Sequence, residues 1–129
     1  MASESTNIGT HSELRVMLAL LANGYEVSQP IASEVYDLSV RNPRNGEHFT
    51  VQVKTARVRE DRDGAIVVTA RKSNGQIYTR EDCDYLAGVT EDAVYLIPNV
   101  EQTEYWAKPD SIDAKWTRLE TAYQRTVSN

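Results

Sequence analysis

The 129 residues, 40% apolar and 26% charged, suit one globular domain spanning 1–129, and no apolar run approaches the roughly 18 residues a membrane span needs. This excludes a membrane-embedded protein and gives no reason to expect a membrane partner. The net charge of −5 speaks against a polyanionic partner for the molecule as a whole, yet nine cations stand between positions 41 and 80 against four carboxylates, so that segment is +5 and the rest −10. Such asymmetry allows a basic face, although a mixed run like VREDRD is equally well explained as a solvated loop.

The opening MASESTNIGT lacks both the basic start and the apolar centre of a secretion signal, and Cys83 has no second cysteine to pair with. A reducing, cytoplasmic setting is expected, with residues 1–9 flexible. Thr10 followed by Glu13 has the form of a capping box, and Leu14, Met17, Leu18 and Leu21 then recur at helical spacing until Asn23 and Gly24. The first helix is predicted over about 11–22. Tyr25 and Val27 suggest a short strand before Pro30, at a sheet edge because proline cannot donate to a ladder.

Tyr36, Leu38 and Val40 alternate with Asp37, Ser39 and Arg41, and Phe49, Val51 and Val53 alternate with Thr50, Gln52 and Lys54, with NPRNG between them. This predicts an antiparallel hairpin. For the apolar residues to share one face, facing partners must have numbers with an odd sum, and a sum near 89 suits the loop. Asp37 then faces Gln52, and Lys54 lies diagonal to Asp37 at roughly 7 to 8 Å. AIVVTA and DAVYLIPN read as buried central strands, REDCDYLAG between them as a short helix after the loop RKSNGQIY. Asp113 is placed as the cap of a last helix carrying Trp116, Leu119 and Tyr123 on one side. The mixture predicts an α/β or α+β fold, a central mixed β-sheet flanked by helices.

Hydrolysing a phosphodiester near neutral pH requires charge neutralisation at the phosphate and an activated water, and a Mg2+ held by carboxylate and carbonyl oxygens supplies both. Asp37 is the principal candidate ligand, with the Gln52 side-chain carbonyl and the Val53 backbone carbonyl beside it. Lys54 has two candidate duties: to stabilise charge developing on the phosphate, or to orient the attacking water.

A helix with Glu13, then Asp37 in VYDLSV, then Gln52 and Lys54 in FTVQVKT resembles the PD-(D/E)XK nuclease superfamily. The resemblance covers most of the chain and is nearest to the small single-domain members, the Holliday junction resolvases and the endonucleases associated with group I introns, because the downstream DYLAGV, VYLIP and terminal W-x-x-L of this chain are similar to theirs. It implies a restriction endonuclease-like fold. It also implies that Asp37, Gln52 and Glu13 bind the metal, that Lys54 completes the catalytic set, and that Mg2+ is the cofactor with Mn2+ substituting. Tyr36 stands where many members have proline. Gln52 stands where most have a second acid, as in the Q-X-K variants of that superfamily; the oxygen ligand is kept and a negative charge is lost.

The residues also carry plainer readings. A capping box alone accounts for Glu13. Gln52 and Lys54 alone are ordinary for the polar face of a strand, whereas Asp37 is disfavoured inside one. His11 reads as a first-turn surface residue rather than a general base, His48, near the hairpin loop, as structural or at most a phosphate contact, and Cys83 as a small buried apolar residue. Trp106, Trp116 and the tyrosines suit a core, a subunit interface or a stacking platform for bases. Arg41, Arg57, Arg71 and Lys72 are the candidate phosphate contacts. The expected function is a metal-dependent endonuclease acting on DNA, branched or structured DNA first. Cutting two strands calls for two sites, so a homodimer or higher oligomer is expected, with apolar positions of the last helix as its contact. The competing readings are a nuclease fold that has lost catalysis and binds nucleic acid or protein, and a structural subunit.

Overall fold

The computed structural model describes residues 1–123 and 125. In chain order the elements are α1 (Glu4–Ala22), β1 (Glu26–Ser28), β2 (Leu38–Arg41), β3 (His48–Thr55), β4 (Arg57–Arg59), β5 (Ala65–Thr69), β6 (Tyr85–Val89), β7 (Val94–Pro98), β8 (Glu104–Ala107), α2 (Ile112–Lys115) and β9 (Thr117–Leu119).

Six strands form one sheet in the order β1-β2-β3-β6-β7-β9, and β4, β5 and β8 form a second sheet in the order β4-β5-β8. The pairing of β3 with β6 is parallel and every other pairing is antiparallel. The large sheet is therefore mixed, within an α+β fold. Pleating divides its side chains between two faces. Leu38, Val40, Val51, Val53, Ala87, Val89, Val94 and Leu96 pack with Val16, Ala19 and Leu20 of α1. Leu86, Tyr95 and Ile97 point the other way, into a second cluster with Val68, Tyr78, Cys83, Tyr105 and Trp116.

The hairpin has the predicted register, with Leu38 facing Val51, Ser39 facing Thr50, Val40 facing Phe49 and Arg41 facing His48. Its turn is closed by Asn42 and Glu47, with Gly46 at a φ of +78° that side chains rarely adopt. β1 lies at the edge of the large sheet, as predicted, and β5 and β7 are interior strands of their sheets.

Four expectations are corrected. The first helix begins at Glu4, capped by Ser3, whose side chain accepts the Thr6 N–H; Thr10 is within the helix, and residues 4–9 are ordered in it. Its buried face is Ser12, Val16, Ala19, Leu20 and Ala22, while Leu14, Leu18 and Leu21 are exposed. At 100° per residue those leucines lie opposite the core, so the helix has two apolar faces and the larger residues marked the outer one. The segment read as a helix, REDCDYLAG, is a turn at Thr79–Cys83 followed by β6, which pairs parallel to β3. Five apolar residues with turn signals upstream fit a buried strand as well as a helix, and burial on both faces decides it. Finally, α2 is a single turn, Ile112–Lys115, preceded by Ser111; Asp113 accepts a hydrogen bond from the Tyr95 hydroxyl instead of capping, and Leu119 belongs to β9.

Candidate active site

The site forms where β2 stops short of β3. The ladder ends at Leu38, so the edge of β3 beyond Val51 has no backbone partner from β2. Asp37 supplies one with its own atoms. Its N–H donates to the Val51 carbonyl at 2.9 Å, and its Oδ2 accepts the Val53 N–H at 2.8 Å. The expected opposition of Asp37 and Gln52 is thus displaced: Asp37 straddles Gln52 by bonding the residue on either side of it. Groups two residues apart on a strand point to the same edge, so the Val53 carbonyl faces the same gap as Val51's. The Asp37 carboxylate consequently lies at the margin of the sheet, half-buried.

The candidate residues come from opposite faces of the large sheet, and the cleft of Glu13 and Asp37 is not lined by Gln52 or Lys54. Glu13 comes from α1, on one side; Gln52 and Lys54 stand on the other side of β3, facing Leu86 and Gly88 of β6 in register. Ser12 and Thr55, the chain neighbours of Glu13 and Lys54, tie the two elements with a 2.7 Å hydroxyl bond, and Ser12 is only 3% exposed. Glu13 and Asp37 line one cleft of about 320 Å³ with Pro30, Ile31, Glu34 and Tyr36.

Burial pushes the Asp37 carboxyl above the ordinary carboxylate range, and this outweighs the opposing effects of the Val53 N–H and the Lys54 charge. The Glu13 carboxyl is raised as well, first by burial and then by the charge of Asp37. Both groups therefore hold protons more tightly in the folded than in the unfolded chain. Their contribution to stability is complete below the ordinary carboxylate pKa and is lost as pH rises through the raised values. In metal-free buffer Asp37→Asn should consequently melt above the wild type at pH 7, and the gap should narrow toward pH 4. A gap that is unchanged across thermal melts in this range would contradict the assigned coupling.

The remaining candidates are more dispersed. Arg41 pairs with Glu26 at 3.1 Å, and Lys72 pairs with Asp82 at 2.6 Å. Arg57 and Arg71 are exposed and make no ion pair among the described residues. His11 and His48 are exposed; His11 is on the surface as expected, though within α1 and not in its first turn. Cys83 is buried with its pKa pushed up to about 11, chiefly by that burial, so it is held as an inert thiol. Trp116 is in the core, whereas Trp106 is exposed on β8 with Lys115 over its ring at 4.2 Å. No pattern in the chain marks Ser12, Thr55 or Tyr78, whose ring lies beside Lys54.

The large sheet thus holds one parallel pair, β3–β6, among antiparallel ones, with Asp37 just before β2 and Gln52-X-Lys54 on β3. A solved bacterial homing endonuclease, I-Ssp6803I, has a similar fold, with a TM-score of 0.68 and 22% identity over 86% of this chain and 88% of that one. The PD-(D/E)XK endonuclease family matches residues 3–127, and the chain belongs to that family. A comparison with curated proteins finds no match. No helix among the described residues is long and apolar enough to cross a membrane.

Proposed function

We propose that the chain is a metal-dependent endonuclease acting on DNA, with Mg2+ as its cation and Mn2+ able to substitute. The observation that carries this reading is the meeting of Glu13 and Asp37 in one cleft at the open edge of β3, with Lys54 on the same strand. The donor set fits a hard cation. Asp37 has a second carboxylate oxygen beyond the one bonded to Val53, Glu13 offers a carboxylate, and Gln52 and Val53 offer carbonyls; all are oxygen ligands. Two carboxylates raised by burial, Glu13 also by the charge of Asp37, are groups that gain from a nearby cation. Among the described residues no three His, Cys, Asp or Glu side chains form a metal-holding group, and Gln52 brings an amide where a carboxylate would add a third. A bound divalent cation would supply charge neutralisation at the scissile phosphate and a lower pKa for a bound water.

The remaining work falls to the chain. Lys54 stabilises charge developing on the phosphate oxygens or orients the attacking water. Asp37, fixed by two backbone hydrogen bonds, sets the position of the site; Glu13, anchored through its neighbour Ser12, closes it from α1. Arg57 and Arg71 are exposed for phosphate. Arg41 can exchange Glu26 for phosphate cheaply, because a half-exposed pair of this kind contributes about 0–1 kcal/mol. Lys72 is held more closely by Asp82.

Cutting both strands of a duplex or junction calls for two such sites, so a homodimer or higher symmetric oligomer accompanies this reading. With α2 reduced to one turn, the exposed row Leu14, Leu18 and Leu21 on α1 supports it better than the end of the chain. A cytoplasmic setting suits the buried, unpaired Cys83. A second reading, a nuclease fold that binds without cutting, is favoured by Gln52 and by the net charge of −5.

The test is cleavage of a labelled linear duplex and a labelled four-way junction with Mg2+ or Mn2+, and with EDTA. Cleavage that needs the metal supports the nuclease. Retention of DNA without cleavage, together with no Mn2+ uptake by calorimetry, supports the binding module.

A further inference from the structure

The ammonium of Lys54 lies 4.9 Å from the centre of the Tyr78 ring and 3.5 Å from the carbonyl oxygen of Arg71. Among the described residues, no carboxylate comes within ion-pairing distance of it. The ring is fixed in place. Tyr78 is 6% exposed and packs in the cluster of Cys83, Leu86 and Tyr105. The loop before it is closed by a bridge between Arg71 and Ile77 and by a hydrogen bond from the Lys72 N–H to the Gln76 carbonyl. Its far end is held by Asp82, which accepts the Thr79 N–H at 2.8 Å and pairs with Lys72.

The nature of this support matters for a lysine beside an acid. A direct ion pair with Asp37 would occupy a carboxylate oxygen and cancel the field of the ammonium. An aromatic face attracts the cation through its quadrupole and leaves the full charge in place. It also restrains a flexible four-carbon stem that would otherwise sample many rotamers. We propose that Tyr78 is a positioning residue for Lys54: its ring seats the ammonium clear of Asp37, keeping the Asp37 oxygen free and the Lys54 charge available to the phosphate. This rests on the nuclease reading above.

The seat is the ring face, so the hydroxyl is dispensable. In cleavage assays with Mg2+, Tyr78→Phe keeps kcat and KM within about twofold of the wild type, and Tyr78→Leu lowers kcat about tenfold with KM unchanged. By NMR, the Lys54 ε-methylene protons are displaced upfield by the ring current in the wild type and in Tyr78→Phe, and return to ordinary values in Tyr78→Leu. An unchanged kcat in Tyr78→Leu, or equal damage in Tyr78→Phe, overturns the proposal in an otherwise active enzyme. Ordinary Lys54 shifts in the wild type overturn it even if Tyr78→Leu fails to fold. A wild type that shows the ring-current shift but cuts no DNA overturns the nuclease reading, and the catalytic role of Tyr78 with it.

Discussion

Lys54→Ala should lose about 10²- to 10³-fold in the rate of DNA cleavage at saturating substrate, while taking up Mn2+ much as the wild type does; Asp37→Ala should lose at least as much activity and the Mn2+ uptake too. The difference follows from where each side chain is anchored. Asp37 bonds the backbone of β3 on either side of Gln52 and shares a cleft with Glu13, so its removal takes away a carboxylate and opens the edge of the strand. The Lys54 ammonium is held by Tyr78 and the Arg71 carbonyl, and its loss leaves the oxygen donors where they are. Calorimetry with Mn2+ and single-turnover cleavage separate the two effects. Full activity in either variant would place the chemistry elsewhere, and loss of Mn2+ binding in Lys54→Ala would make the lysine a structural part of the metal site.

The hairpin that carries this chemistry was legible because two constraints on it agree. Alternation through 38–41 and 49–54 fixes which residues share a face, and NPRNG limits the loop, so the register follows by parity and Leu38 does face Val51, whereas Tyr36, expected on the face of Leu38 and Val40, precedes β2 and packs against the second cluster. What pattern cannot show is where pairing stops. Asp37 leaves the ladder because its short carboxylate can satisfy the Val53 N–H itself, a side-chain substitute for the next residue of β2. The error of one residue in its position lies at the proposed site, and functional sites are where local rules most often give way.

Elsewhere the sequence was ambiguous for definable reasons. On α1 the leucines at 14, 18 and 21 outweigh the smaller buried set of Val16, Ala19 and Leu20, and helical spacing fits both rows. Length and periodicity did not separate β6 from a helix; its strand state comes from β3 and β7 pairing on either side, which is long-range information. The three-residue strands β4 and β9 are too short to carry a period, although both complete sheets. The groups that hold the site together, Ser12 with Thr55 and Tyr78 with Lys54, are separated by 43 and 24 positions. Nothing local in the chain marks such partners.

The amide at position 52 gives the sharpest test of the proposed metal site. Gln52→Glu should raise Mn2+ affinity about tenfold or more, by restoring a charged oxygen ligand, and should lower the melting temperature of the metal-free protein. The two effects have one cause. Glu13 and Asp37 are already raised above the ordinary carboxylate range by burial, and Glu13 additionally by the charge of Asp37, so in the proposed site a third carboxylate, on β3, adds like-charge repulsion to these two. A divalent cation reverses the sign of that interaction, and binding to the folded state then returns stability in proportion to the logarithm of the ratio of ligand concentration to Kd. The melting temperature of Gln52→Glu should therefore fall below the wild type in EDTA and rise above it in millimolar Mn2+. Tighter uptake without the crossing would mean that the new carboxylate binds outside the Glu13–Asp37 cluster. A crossing without a gain in cleavage would mean that the natural amide limits only cation affinity, with Lys54 and its Tyr78 seat setting the rate.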